Sequence, residues 1–363
     1  MKARIKGVAP LLEENVPLAS LTTLGVGGPA RYLARCPTPA SLSVAFDHAR
    51  ELGLATFVLG GGSNLLVSDD GFDGLVIRID DGSLSFEDES GLVTVRAGAG
   101  VDWDVLVAAT VDAGLGGLEC LSGIPGLVGA APIQNLGAYG QEVSETIAAV
   151  HALERATGDF VSFAPEDCGF GYRRSHFKGA WAGRYAVVRV DFRLPRRSFG
   201  AVRYADLERR FGAGAAPPLA KVRQAVLEVR RSKSMVLEPD DPNRRSAGSF
   251  FTNPIVTPAT ADDVRRRLAA DDMPVYPAAD GRVKLSAAWL IERSGLRRGE
   301  RHGRAGISTR HSLALVNLGG ATAAEIVDLA RRVRSQVRAR TGVVLEPEPV
   351  FLGFAGGVDG ALS

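Results

Sequence analysis

Three short segments, far apart in the chain, each set one reactive side chain beside a glycine or a proline. They are Gly171-Tyr172-Arg173, Gly248-Ser249-Phe250-Phe251-Thr252-Asn253-Pro254 and Leu345-Glu346-Pro347-Glu348-Pro349. Arg173, Ser249 and Glu348 lie 76 and 99 residues apart (249−173 and 348−249), so only a folded site can unite them. A guanidinium, a hydroxyl and a carboxyl suit a reaction that builds a carbanion beside a carboxylate and then protonates it. Arginine meets a carboxylate with a two-pronged fork and stays charged at any working pH. Serine is a weak acid, so it donates only to a strongly basic carbon and only when well positioned. Taken alone each has a plainer reading, a structural ion pair for the arginine and a turn or cap hydroxyl for the serine.

Upstream, Gly60-Gly61-Gly62-Ser63-Asn64-Leu65 follows the apolar run Phe57-Val58-Leu59. Three glycines let successive N–H groups converge on an anion, and Ser63 and Asn64 add side-chain donors. A second glycine-dense stretch holds Ser122, Pro125, Gly126, Gly129, Ala130, Gln134, Asn135, Gly137, Ala138 and Tyr139. Its small residues permit close backbone approach to a flat, bulky ligand, and the two stretches together suit a diphosphate cofactor. Gly25-Val26-Gly27-Gly28-Pro29-Ala30 satisfies the letter of the dinucleotide fingerprint, but Leu21 to Leu24 makes a poor core strand and Pro29 interrupts the turn. An ordinary tight turn is expected there.

The elements that must position these groups read as α+β. A helix is expected between Thr38-Pro39 and Gly53, with Leu42, Ala45, Phe46, Ala49 and Leu52 on one face. A second is expected over Asp102 to Ala113, and strands over Ala55 to Leu59, Gly74 to Ile79 and Leu92 to Ala97. β character returns at Ala148 to Glu154, Phe160 to Phe163 and Tyr185 to Leu194. Further helices are expected over Leu219 to Met235, Asp262 to Ala270 and Ser286 to Ser294. A strand at Leu313 to Asn317 leads to Thr322-Ala323-Ala324-Glu325, a capping box for a long helix that ends at Gly342. Val343 to Glu346 reads as a final strand, and Gly356 to Ser363 as a tail that frays.

Composition narrows the classes. The chain has 363 residues, 45% hydrophobic and 23% charged, ordinary for a globular protein of two or three domains. A net charge of +2 gives no basic face for nucleic acid. Cys36, Cys120 and Cys168 form no C-x-x-C pair and read as reduced thiols; the five histidines form no metal-ligand spacing, so no metal is expected. The stretch Met1 to Pro10 lacks the apolar core of a signal peptide, and no run approaches a membrane span. The expectation is a cytoplasmic protein.

The ordered set GGGSNLL, SGIPGLVGAAPIQNLGAYG, FGYRRS, GSFFTNP, KLSAAWLIERSG and LEPEPV, spread from about Leu18 to Leu352, resembles the UDP-N-acetylenolpyruvoylglucosamine reductases of bacterial peptidoglycan synthesis. The resemblance implies a two-subdomain FAD-binding module of the vanillyl-alcohol-oxidase (PCMH) type, over 1–68 and 69–216. It also implies a C-terminal α+β substrate domain over 217–342, and a closing segment, 343–363, that carries the catalytic glutamate. A monomer is separately expected; the resemblance implies noncovalent FAD, NADPH as hydride donor and a UDP-sugar substrate. On the same ground Arg173 and Glu348 stabilise the intermediate and Ser249 donates the proton. Tyr172, Lys233 and Asn253 would contact substrate, and the two glycine stretches would hold the cofactor. His311 stands where some relatives carry glutamine and is read as structural, and Met235 to Asp241 departs from the expected Leu-Pro-Asp-Pro run. An FAD-dependent oxidase or dehydrogenase acting on a small alcohol or hydroxy acid is a rival reading, and a non-enzymatic flavin-binding module is another.

Overall fold

The structure, a computed structural model, describes residues 10–89, 91–200 and 202–363. Apart from Pro10, the N-terminal stretch assessed above as a signal peptide lies outside them. The fold is α+β, and the chain divides into two compact units. One comprises the described residues up to Val16, Ala30–Gly61 and Asp73–Val236; the other comprises Pro17–Pro29, Gly62–Phe72 and Leu237–Ser363.

Two larger sheets build the first unit. A four-stranded sheet runs in the order Leu12–Pro17, Pro29–Cys36, Phe72–Ile79, Ala55–Leu59, with the last two strands parallel. Helix α1 (Pro39–Glu51) starts where Thr38 accepts from the Ser41 N–H and Pro39 presets the first turn; Gly53, at φ +64°, ends it. Its Leu42, Ala45, Phe46 and Ala49 pack on Leu75 and Ile77, whereas Leu52, expected on the same face, lies at the C-cap and is exposed. The second sheet is antiparallel, in the order Phe160–Phe163, Ile147–Glu154, Tyr185–Pro195, Leu92–Gly98, Leu84–Glu89. Val95, Val150, Val190 and Phe192 turn one face of it into a core with Trp103 and Leu106 of α2 (Trp103–Asp112). Two more helices complete the unit, α3 (Ala205–Phe211) and α4 (Leu219–Ser232). The short α3 had no counterpart in the sequence reading. Helix α4 ends before Met235 because Ser234 takes a left-handed φ of +55°.

The second unit packs α5 (Pro258–Leu268), α6 (Ala287–Arg293) and α7 (Ala323–Thr341) around one apolar cluster with two three-stranded sheets. Helix α5 begins four residues before the expected Asp262, since Thr257 caps it and Pro258 occupies its first position. The capping box of α7 is present, with Thr322 Oγ1 and Glu325 Oε2 each accepting the other residue's backbone N–H, and Gly342 at φ +78° closes the helix. Two side chains bind the early segments 17–29 and 62–72 into this unit. The Asp69 carboxylate accepts from the Ala323 and Ala324 N–H groups at 2.7 and 2.9 Å, at the positive end of α7. Buried Asn317 donates to the Leu24 and Gly25 carbonyls and accepts from the Gly319 and Ala321 N–H groups, so all its hydrogen-bonding capacity is used.

Gly25 and Gly27 have φ of +64° and +110°, and a Cβ on Gly28 would meet the Asp69 carbonyl oxygen at 2.3 Å. These glycines serve a tight turn, and a strand rather than a helix follows them, so the dinucleotide fingerprint is formal only.

Two expectations fail at the C-terminal end. Val343 to Glu346 forms no strand, because the Val343 N–H is taken by Thr341 Oγ1 as α7 ends. The strand lies later, at Val350–Leu352, parallel to Leu65–Val67. The tail does not fray either: Gly357–Leu362 is a helix, α8, whose Ala361 and Leu362 are buried in the cluster, and Arg334 Nη1 donates to the Leu362 carbonyl at 3.1 Å. Among the described residues no helix is long and apolar enough to cross a membrane. If α8 is part of the fold, Leu362→Ala lowers unfolding free energy by about 2 kcal/mol, read as a lower urea midpoint at unchanged slope. An unmoved midpoint would show that the tail adds nothing.

Candidate functional site

In the first unit the second glycine stretch is gripped by the opening turn of α2. Trp103 Nε1 donates to the Leu121 carbonyl at 3.0 Å and the Trp103 N–H to the Gly126 carbonyl at 3.0 Å. Between these points the Gly123 N–H donates to Asp104 Oδ1 at 2.6 Å. The same carboxylate takes both prongs of Arg223 from α4, at 2.5 and 2.8 Å. Burial pushes the Asp104 carboxyl up, but the Arg223 fork and the Gly123 N–H outweigh it and hold the group below the usual carboxylate range. Ser122 is fully buried and its hydroxyl donates to the Glu119 carbonyl at 2.7 Å, so its side chain shapes the turn.

The glycines differ in what demands them. A Cβ on Gly61 would lie 2.7 Å from Gly126 Cα, one on Gly129 2.6 Å from Ala99 Cβ, and one on Gly62 1.9 Å from the Leu21 carbonyl oxygen. Packing alone requires these three. A Cβ on Gly60 would lie 3.4 Å from Ala130 Cβ, its nearest neighbour, and its φ is not left-handed. The protein itself therefore has room for a side chain there, and a ligand passing close by would account for the glycine.

Downstream, Gly137–Ala138 pairs with Gln141–Glu142 across the two-residue turn Tyr139-Gly140, whose φ values are +49° and +83°. Positive φ at both positions is the type I′ pattern, which suits glycine and strains tyrosine. Asn135 (φ +48°) braces this hairpin. Its Nδ2 donates to Glu142 Oε2 at 2.7 Å and to the Gly171 carbonyl at 3.2 Å, and its Oδ1 accepts from the Ser144 N–H at 3.1 Å. Through that bond it reaches the Tyr172-Arg173 turn, closed by reciprocal Gly171 and Arg174 backbone bonds of 3.0 Å. Arg173 (φ +52°) lies over the Tyr172 ring and donates from Nη2 to the Gly137 carbonyl at 2.8 Å. Of the seven non-glycine residues with positive φ among those described, Asn135, Tyr139 and Arg173 fall in this one cluster. Backbone strain held in place by surrounding contacts is characteristic of functional sites.

In the second unit the Ser249 and Glu348 segments lie side by side. The Thr252 N–H donates to the Glu346 carbonyl and the Glu348 N–H to the Phe250 carbonyl, both at 2.9 Å, and Phe251 bridges Pro347. Pro347 and Pro349 have no N–H to offer, so the intervening Glu348 N–H makes the bond. Asn64 Nδ2 donates to the Glu348 carbonyl at 3.3 Å, which brings one residue of the first glycine stretch to the same place. Phe250 and Phe251 are buried beneath, while Ser249 and Glu348 remain half-exposed. Arg173 thus belongs to the first unit, Ser249 and Glu348 to the second.

Other predicted contact residues have local partners. Lys233 Nζ pairs with Asp206 of α3 at 2.8 Å, and Asn253 Oδ1 accepts from the Ala287 N–H at the start of α6. His311 occupies a turn closed by its own carbonyl accepting from the Ala314 N–H. Arg230 has no role in the sequence analysis. It continues the buried stripe Leu219, Val222, Val226 one turn further, and that spacing was the available signal. Its Nε is buried with no hydrogen-bond partner among the described residues, and burial lowers its basicity. Burial likewise pushes the adjoining Tyr139 hydroxyl up to about 12.

Residues 240–352 match the model of the UDP-N-acetylenolpyruvoylglucosamine reductase C-terminal domain, and residues 30–164 match that of an FAD binding domain. A UDP-N-acetylenolpyruvoylglucosamine reductase of Thermobifida fusca (strain YX) is 50% identical over 352 residues, covering 93% of this chain and 97% of that relative. One from Nocardia farcinica (strain IFM 10152) is 49% identical over 358 residues, covering 96% and 92%. The crystal structure of UDP-N-acetylenolpyruvylglucosamine reductase (MurB) from Thermus caldophilus superposes with a TM-score of 0.65 at 32% identity, covering 94% of this chain and all of that one. With two family models matched in order along the chain and near-complete relatives at half identity, this protein belongs to the UDP-N-acetylenolpyruvoylglucosamine reductase family.

Proposed function

We propose that the chain reduces the enolpyruvyl ether of UDP-N-acetylglucosamine enolpyruvate to UDP-N-acetylmuramate, using FAD and NADPH, as a step in peptidoglycan precursor synthesis. The first unit suits FAD on two counts. Gly60 lacks a side chain that packing would tolerate, and Arg230, a partly buried cation whose Nε is enclosed, adjoins the Gly123 loop. FAD, reduced by NADPH, supplies the hydride that adds to C3 of the olefin.

The chain's own residues then handle the charge and the proton. Hydride addition at C3 leaves an electron pair at C2, spread into the neighbouring carboxylate. Arg173 is assigned to that carboxylate, where a guanidinium fork meets both oxygens. The Gly137 carbonyl and the Tyr172 ring hold Arg173 before substrate arrives, which lowers the entropy lost on binding. Ser249 is assigned as the donor of the proton that C2 takes up, completing the saturated lactyl ether. Glu348 is assigned to the developing anion, and Tyr172, Lys233 and Asn253 to the rest of the substrate. The observation that supports this reading most is the backbone pairing of Phe250 and Thr252 with Glu346 and Glu348, which fixes the serine and the glutamate on neighbouring segments.

If Ser249 donates the proton, Ser249→Ala leaves FAD reduction by NADPH intact but slows reoxidation by the enolpyruvyl substrate by about 10²–10⁴-fold. Stopped-flow absorbance separates the two half-reactions, and equal losses in both would refute the assignment. Arg173→Lys keeps the charge and loses the fork, so kcat/KM should fall at least about tenfold. Steady-state kinetics near those of the parent chain would remove Arg173 from the carboxylate.

A further inference from the structure

Arg230 presents an electrostatic problem that the protein alone does not solve. The buried stripe of α4 carries its guanidinium inward toward the second glycine stretch. A Cβ on Gly123 would lie 2.7 Å from Leu227, 3.3 Å from Val236 and 3.5 Å from Arg230 Nε, which places the cation in an apolar wall of that loop. Nη2 donates to the Met235 carbonyl at 2.6 Å, and the guanidinium hydrogen-bonds the Tyr139 hydroxyl. Both acceptors are neutral. Nε has no acceptor among the described residues. The neighbouring carboxylate, Asp104, is already committed to the fork of Arg223 and the Gly123 N–H. Arg230 keeps part of its side chain at the surface, but its enclosed Nε edge has no anionic partner, and that is unfavourable.

The occupant must bring negative charge. A diphosphate carries permanent charge and needs several donors, yet here the Gly123 N–H and the second guanidinium are both spent on Asp104, and the wall is apolar. A ring that is neutral when oxidised and gains one negative charge on reduction fits better. Accepting a hydride adds two electrons and one proton, so such a ring ends singly negative unless a second proton follows. We infer that Arg230 is the charge partner of the FAD isoalloxazine ring, stabilising its reduced, anionic form more than its oxidised form. The inference rests on the reading of the Ser122–Gly126 loop and Tyr139 as cofactor-binding.

The test is a redox titration of the holoprotein with Arg230→Met and Arg230→Lys, alongside fluorescence titration of the apoproteins with FAD. Removing the charge should weaken binding of reduced FAD at least tenfold relative to oxidised FAD, which for a two-electron couple lowers the midpoint potential by about 30 mV or more. Lysine should restore part of that shift. An unchanged potential overturns the inference, including the case in which both redox states of FAD bind equally more weakly and the charge serves the diphosphate. If the methionine variant does not fold, Arg230→Gln supplies the same comparison, and a glutamine variant at the parent potential is equally fatal. A parent chain that binds no FAD would instead overturn the cofactor reading beneath it.

Discussion

One carboxylate carries the architecture of the cofactor region in the first unit. Asp104 stands in the first turn of α2, where the helix end favours a negative charge, and it accepts from the Gly123 N–H and from both prongs of Arg223. Three elements distant in sequence, α2, the loop after Leu121 and α4, thereby meet at a single charged group. Each Arg223–Asp104 contact is a charge-assisted hydrogen bond, and the pair is only partly exposed, so the link is stronger and more directional than a surface ion pair. Trp103 binds the loop on either side, at Leu121 and Gly126. Since Asp104 satisfies Arg223, it leaves Arg230 in want of an anion. The contact that shapes the loop thus also creates the vacancy in charge beside it.

The turn at Arg173 follows a second constraint. Left-handed backbone at Asn135, Tyr139 and Arg173 costs free energy at each residue, on the order of 1 kcal/mol or more, and local propensity would not choose it. Asn135 offsets that cost with three hydrogen bonds that join the hairpin at Glu142 and Ser144 to the turn at Gly171. A tyrosine in a type I′ turn and an arginine beyond a tight backbone loop are aimed by this bracing rather than by regular secondary structure. Such groups lose little freedom on meeting a ligand, because their conformations are already set.

The second unit gathers its site by a different route. Segments 17–29 and 62–72 join the C-terminal part of the chain through the Asp69 cap of α7 and the fully used amide of Asn317. Val350–Leu352 then finds Leu65–Val67 as a parallel partner, and Glu348 comes to rest against Phe250 and Asn64. Proline on either side of Glu348 prevents an extended ladder, so the glutamate sits at an isolated crossing instead of inside a sheet.

Much of this is legible in the sequence alone. The caps at Thr38 and Thr322, the stop at Gly342 and the stripe of α1 are local effects of side chains on their own helix, so sequence spacing is enough to predict them. Six motifs in order identified the family, and with it FAD and an α+β fold. Spacing could not place Val343 to Glu346 or the tail, because a strand needs a partner and a short helix needs a surface to bury against. Both partners, Leu65–Val67 and the cluster around α7, come from chain far away in sequence. The basic run at 230–233 likewise carries no local sign of which of its charges is solvated. Only the tertiary structure separates Lys233, paired with Asp206, from Arg230, whose Nε is enclosed beside a glycine loop with its counterion still to come. Sequence alone determined which groups are available and where the capped helices α1 and α7 begin. Tertiary packing decided which charges are neutralised, because that depends on distances across the fold that no local pattern encodes.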